Sequence, residues 1–252
     1  MSGSGCGHFY HGLKYGLLEL AQPVLPLVSC SVPSCCVMFK YVLLDLDNTL
    51  YPPDSGLWEA IGARINAFMI ERLGMNPREV DEKRRSYLNS FGTTLNALRH
   101  YHGTDPEEFL TFVHDLPLSD FLRPDPTLEG MLAKLSLRKA IFTNADAAHA
   151  RRVLGRLGIL RHFDRIIDIY ALEFVNKPDP RAYFRALEFV SALPEECVFA
   201  DDSPVNLLAA GRIGMKTVLV GSAAGMAGID HRIGRITELA PLIDRLISES
   251  GD

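Results

Sequence analysis

Asp45-Leu46-Asp47-Asn48-Thr49 sets two carboxylates two residues apart, on one side of the chain, where an apolar run gives way to a polar loop. Acids commonly end strands, so this pattern by itself says little. Three further groups change its weight. Thr143-Asn144 closes a second apolar run, Lys177 stands in Asn-Lys-Pro-Asp-Pro ahead of a helical pattern, and Asp201-Asp202-Ser203 closes a third run. Adjacent acids such as Asp201 and Asp202 repel one another at a sheet edge unless a cation lies between them, so a metal is expected there. The chain is acidic overall, with 26 Lys plus Arg against 31 Asp plus Glu. It can therefore handle an anion only by concentrating positive charge locally, through a metal, a lysine or a helix N-terminus. Asp179-Pro180, by contrast, has the form of a helix N-cap followed by its first residue.

The elements that must position these groups are legible in the periodicity. YVLLDLD (41–47) is a nearly continuous apolar run of the kind found in buried parallel strands. Similar runs lie at 139–143, 165–169, 197–201 and 216–220, and helical patterns at 147–157, 180–190, 204–213 and 238–248. Alternation of this kind implies an α/β fold with a doubly wound parallel sheet, whose ligands bind at the carboxyl ends of the strands. Between the first two runs, helical spacing appears at 55–73, 77–90, 93–101 and 105–115, with Gly74 as a stop and Asn76-Pro77 and Asp105-Pro106 as starts. The expected organisation is a core formed by 38–53 and 120–252, an α-helical cap at 54–119, and an extension at 1–37.

With these motifs in hand, the chain from about Phe39 to Leu246 resembles the haloacid dehalogenase-like phosphohydrolases at DLDNT, FTN, the lysine of NKPDP, and ADDS. Within that superfamily LDLDNTLYPP, GTTLNALRHYHGTDPEEFLTFVHDLPL, IFTNAD and NKPDPRAY look like the pyrimidine 5'-nucleotidase branch. The resemblance implies a Rossmann-like core with an inserted cap and Mg2+-dependent hydrolysis of a phosphate monoester. It makes Asp45 the nucleophile that forms an aspartyl-phosphate, and Asp47 the acid that protonates the leaving group and then the base that activates water. It gives Mg2+ the carboxylates of Asp45 and Asp202 and the backbone carbonyl of Asp47, with Asp201 reaching the ion through water. Thr143, Asn144 and Lys177 would bind the phosphate, Lys177 also offsetting the charge of the carboxylates. Many relatives carry Gly at position 201 and an acid at 206, whereas this chain has Asp201 and Asn206, which argues against Asn206 as a ligand.

A mutase for sugar phosphates would use the same two aspartates but return the phosphoryl group. Dehalogenation needs no Mg2+ and gives Asp202 no role. A non-catalytic binding module would have no need of the full set of groups. Substrate choice falls to the cap, where Trp58, Phe91, Asn96, Arg99, His100, Tyr101 and His102 could stack on or hydrogen-bond a base. The expected partner is a small phosphorylated metabolite, in particular a nucleotide. A net charge of −5 excludes the basic excess needed to grip nucleic-acid polymers.

Four of the five cysteines precede residue 40, so no disulfide framework spans the body and a reducing, cytoplasmic setting is expected. The apolar part of residues 1–37 is broken by Glu19, Gln22, Pro23, Pro26 and Pro33, too short and interrupted for a membrane span. Cys35-Cys36 has no second pair to complete a metal site, and Met38 directly before the first strand is the expected natural start.

Overall fold

The computed structural model describes residues 38–221 and 227–249. The proposed extension at 1–37, with Cys35-Cys36, lies outside them. The chain runs through β1 (Tyr41–Leu44), α1 (Leu57–Glu71), α2 (Val80–Phe91), α3 (Thr94–His102), α4 (Pro106–His114), α5 (Pro126–Lys134), β2 (Arg138–Phe142) and α6 (Ala147–Leu157). It continues through β3 (Arg165–Ile167), α7 (Pro180–Val190), β4 (Cys197–Asp201), α8 (Pro204–Arg212), β5 (Lys216–Val220), β6 (His231–Ile233) and α9 (Leu239–Glu249). Among the described residues six strands form one parallel sheet, in the order β3-β2-β1-β4-β5-β6. The order reverses between β1 and β4, and this switch point opens the crevice in which α/β sheets bind ligands.

Period-two alternation divides the strand side chains between two faces. Val42, Leu44, Ile141, Val198 and Val218 join one apolar cluster with Leu128 of α5, Val153 of α6 and Ile243 of α9. Tyr41, Leu43, Phe142, Phe199 and Leu219 join the other, with Tyr183 of α7 and Ala210 of α8. β1 is buried along its whole length, so truncating Leu43 or Leu44 to Ala would cost about 2–5 kcal/mol. The strand that delivers Asp45 is thereby fixed. Helices α1 to α4 contribute to a third apolar cluster around Phe68, Leu98 and Phe109, which Ile169 joins from the core, with Phe68 edge-on to Phe109 at 5.1 Å and to Phe112 at 5.4 Å.

Several boundaries differ from those expected. β1 stops at Leu44, because after Asp45 N–H bonds to Ala200 O the chain turns, with Asn48 left-handed and Leu50 N–H returning to Leu46 O. β3 ends at Ile167, because the Asp168 carboxylate takes the N–H groups of Ala147 and Ala171 and closes a turn. α2 starts at Val80 rather than 77, after a turn in which Asn76 Oδ1 accepts the Arg78 N–H. α5 and β6 were not anticipated. No helix among the described residues is long and apolar enough to cross a membrane.

Candidate active site

The turn after β1 carries the first two aspartates, and Thr49 ties it to the strand beside it. Thr49 Oγ1 donates to Asp45 Oδ2 at 3.1 Å and accepts the Asp202 N–H at 3.1 Å, fixing the ends of β1 and β4 to each other. Lys177 enters from the loop before α7. Asn144 holds that loop in both directions, accepting the Lys177 N–H at 2.9 Å and donating to Lys177 O at 3.1 Å. The Lys177 ammonium, 2% exposed, donates to Asp45 Oδ1 at 2.7 Å, Asp201 Oδ2 at 2.8 Å and Phe142 O at 2.8 Å. All three of its protons are committed, so it gathers carboxylates and has no free donor for a phosphate, unlike the direct phosphate contact expected of it.

Asp201 is wholly buried and heavily engaged. Besides Lys177 it accepts two bonds from Asn206 Nδ2, at 3.1 and 3.0 Å, and one from the Ser203 N–H at 2.7 Å. The Asp202 carboxylate has no side-chain donor among the described residues and is partly open. Oxygens of Asp45, Asp201 and Asp202 lie within 4.8 Å of one another. Burial pushes Asp45 well above the ordinary carboxylate range, opposed by Lys177 and reinforced by Asp201. Burial and the neighbouring Asp201 push Asp202 up to about 6. Three acids against one lysine leave an excess of negative charge that a hard cation with oxygen ligands would relieve, so the donor set fits a divalent ion.

Asp47 points elsewhere. Its Oδ1 accepts from Tyr51 Oη at 2.6 Å and from His149 Nε2 at 3.1 Å. Burial alone would raise it, but the His149 and Tyr51 contacts prevail and hold it below the ordinary carboxylate value. His149 stacks on His114 with ring centroids 4.0 Å apart, and His114 Nδ1 lies 2.6 Å from Asp146 Oδ2. Burial lowers His114 against the pull of Asp146, and the contact between them helps hold Asp146 down at about 2 against the effect of burial. Asp146 caps α6 through the His149 N–H. Thr143, 2% exposed, lends its hydroxyl oxygen to the Ala145 N–H and keeps its own proton, while among the described residues the Asn144 backbone N–H makes no hydrogen bond.

The substrate-reading side chains expected of the insertion are mostly occupied with other contacts. Asn96 Nδ2 donates to Phe174 O at 2.8 Å and Asn176 Oδ1 at 2.6 Å, and the Arg99 guanidinium lies 3.7 Å over the Phe174 ring. Both residues clasp the loop that delivers Lys177. Phe91, His100 and Tyr101 pack on one another, His102 pairs with Tyr87 Oη, and Trp58 is exposed. The cleft of about 530 Å³ beside His149 is lined instead by α4 and α6, with Leu110, Thr111, His114, Asp146, Arg152 and Tyr170 on its walls. Sequence reading passed over Tyr51, His114, Asp146 and His149. Tyr51 stands four residues after Asp47, and His149 sits in the first turn of the helix that follows Thr143, which are the signals that mark them.

The profile of the family described as haloacid dehalogenase-like hydrolase matches residues 39–214, from the start of β1 to the end of α8. This chain belongs to the haloacid dehalogenase-like hydrolases. Among curated proteins it is similar to Phosphate metabolism protein 8 of Saccharomyces cerevisiae, 30% identical over 199 residues. That match covers 71% of this chain and only 61% of the yeast protein. Glyceraldehyde 3-phosphate phosphatase of Methanopyrus kandleri is 30% identical over 198 residues, covering 73% of this chain and 84% of that protein. A crystal structure of a phosphatase of the family from Thermococcus onnurineus shares the fold with TM-score 0.57 at 21% identity, over 81% of this chain and 98% of that one. A crystal structure of a β-phosphoglucomutase from Clostridium difficile aligns with TM-score 0.56 at 18% identity, over 84% of this chain and 98% of that one.

Proposed function

We propose that this hydrolase is a Mg2+-dependent phosphomonoesterase acting through an aspartyl-phosphate on Asp45, with pyrimidine nucleoside 5'-monophosphates as substrates. The observation that carries the reading is the buried Lys177 ammonium joining Asp45 to Asp201, with Asp202 alongside. The ion would be held by Asp45, Asp202 and the Asp47 carbonyl, with Asp201 steadied by Lys177 and Asn206 as the outer support. When bound it supplies charge neutralisation, letting a carboxylate approach a phosphate dianion.

Each step then falls to the protein's own groups. Lys177 holds Asp45 Oδ1, and Thr49 holds Oδ2, so the nucleophile is oriented before substrate arrives. The Thr143 hydroxyl and the Asn144 N–H donate to phosphoryl oxygens. Asp47 gives a proton to the leaving oxygen and takes one from the water that releases phosphate. A phosphate dianion beside Asp47 favours its protonation, because like charge raises a carboxylate's pKa. The leaving nucleoside would occupy the cleft between α4 and α6, whose size is within the ordinary range for ligand sites. The helices at 54–119 act in this account as the cap that covers it.

The resemblance of LDLDNTLYPP and of residues 92–118 to pyrimidine 5'-nucleotidases supports the substrate class. Similarity to an archaeal glyceraldehyde 3-phosphate phosphatase favours a second reading, a small sugar phosphate. Comparing kcat/KM for UMP and CMP with AMP, GMP and sugar phosphates at fixed Mg2+ separates the two. Preference for the pyrimidine nucleotides supports the first; a clearly higher value for sugar phosphates or purine nucleotides rejects it while leaving the phosphatase reading in place.

A further inference from the structure

Tyr51 and His149 have no role in the chemistry above, yet both end on the same atom. Tyr51 Oη donates to Asp47 Oδ1 at 2.6 Å and His149 Nε2 at 3.1 Å, while among the described residues Asp47 Oδ2 receives no protein hydrogen bond. The His149 ring is 1% exposed, and among the described residues its Nδ1 is buried without a partner and its one polar tie is to Asp47. A ring kept for packing alone would do better as an apolar aromatic, which leaves no nitrogen desolvated and unpaired. Its orientation is fixed from two sides. Asp146 Oδ1 accepts the His149 backbone N–H at 2.8 Å, and the His114 ring, bonded to Asp146 Oδ2 at 2.6 Å, lies against it at 17° between planes.

We propose that His149 and Tyr51 are positioning residues that hold Asp47 by Oδ1 and reserve Oδ2 for proton transfer. The inference rests on the reading of Asp47 as acid and base. As an Asp45 oxygen bonds to phosphorus and the bond from phosphorus to the leaving oxygen breaks, the Oδ2 proton passes to that oxygen and a neutral alcohol departs. Water then attacks phosphorus, its proton returns to Oδ2, and the bond to Asp45 breaks to release phosphate.

Leaving-group chemistry supplies the test. A nitrophenyl phosphate departs as a stable phenolate and needs little protonation, whereas an alkyl phosphate such as UMP or glycerol phosphate needs it fully. Kinetics with both substrates would be measured at saturating Mg2+ for the native protein, Asp47→Asn, Tyr51→Phe, His149→Leu and His149→Gln. For His149→Leu and Tyr51→Phe the account predicts a fall of about 10- to 100-fold in kcat on the alkyl phosphate, little change in KM, and a much smaller loss on the aryl ester. His149→Gln, whose side-chain amide can present an N–H near the Nε2 position, recovers most of the rate. Should His149→Leu fail to fold, Tyr51→Phe carries the same test by removing a single hydroxyl. Equal losses on both substrates, or no loss in either variant, would overturn the positioning role if Asp47→Asn still loses the alkyl phosphate selectively. No selective loss in Asp47→Asn would instead overturn the acid–base reading itself, and the positioning role with it.

Discussion

Lys177 is surrounded by oxygens on all its donors, and the buried charges depend on one another. Removing the ammonium leaves Asp45 and Asp201 desolvated and unpaired, a change that typically costs about 3–5 kcal/mol. Lys177→Met should therefore melt well below the native protein and hydrolyse nothing, and added Mg2+ should recover part of the melting temperature, as circular dichroism would show. Asp45→Asn is expected to behave oppositely in stability. Burial disfavours the Asp45 charge, so in a chelator the variant should melt no lower than the native protein while its turnover of an aryl phosphate vanishes; a retained rate contradicts the role given to Asp45. At this scale the motif residues were legible because types, spacing and strand ends coincide. Tyr51 and His149 were not, because their partner is Asp47, and only the turn at Asn48 and the start of α6 bring the three together.

The helices inserted after β1 meet the core through apolar residues such as Leu57 and Ile61 and through polar contacts, and the polar contact nearest Lys177 is tight. Gly92 ends α2 at φ 73°, and a Cβ there would lie 2.1 Å from Asn176 Nδ2. Asn176 also accepts from Asn96 and donates to Lys177 O. Gly92→Ala must therefore displace Asn176 and adopt a left-handed backbone, costing about 1–3 kcal/mol. Thermal melting should show that loss, and kcat should fall with it if the shift reaches Lys177; unchanged melting would mean the clasp yields freely. Helices with a strong apolar stripe and an N-cap, such as α6 and α7, emerged from the sequence within a residue or two. α5 carries the Asp-Pro start of α4 and α7, at Asp125-Pro126, and was nonetheless passed over. β6 is a three-residue edge strand with two polar residues, too brief for alternation to register.

Over the whole molecule, the acidic site and the His114–Asp146 pair respond to pH in opposite directions. Asp202 rises from 3.8 to about 6 on folding, so without metal its contribution to stability is full at low pH and is lost as pH rises through the folded value. His114 and Asp146 are lowered, so their contributions are present above the unfolded values and fade as pH falls. The second pair is the same with or without Mg2+ and cancels in a difference. The rise in melting temperature produced by Mg2+ should therefore be small near pH 5 and larger near pH 8; a rise independent of pH would place the ion away from Asp45 and Asp202.

The parallel α/β sheet and the convergence of four motifs on one edge were legible because such a chain must bring its strand ends together; the order of the strands was not read from the sequence. What the insertion would touch was not, since Asn96 and Arg99 have the chemistry of base readers yet close on the Lys177 loop.

Covalent transfer of the phosphoryl group to Asp45 is the step that separates this chemistry from direct attack by water. Rapid mixing of the protein and Mg2+ with a substrate labelled in its phosphate, followed by acid quench and peptide mapping, tests it most directly. Label should survive acid, be released by hydroxylamine, lie on the peptide holding Asp45, and be absent from Asp45→Asn. Label on another residue, or hydrolysis that continues in Asp45→Asn with no labelled protein, would contradict it.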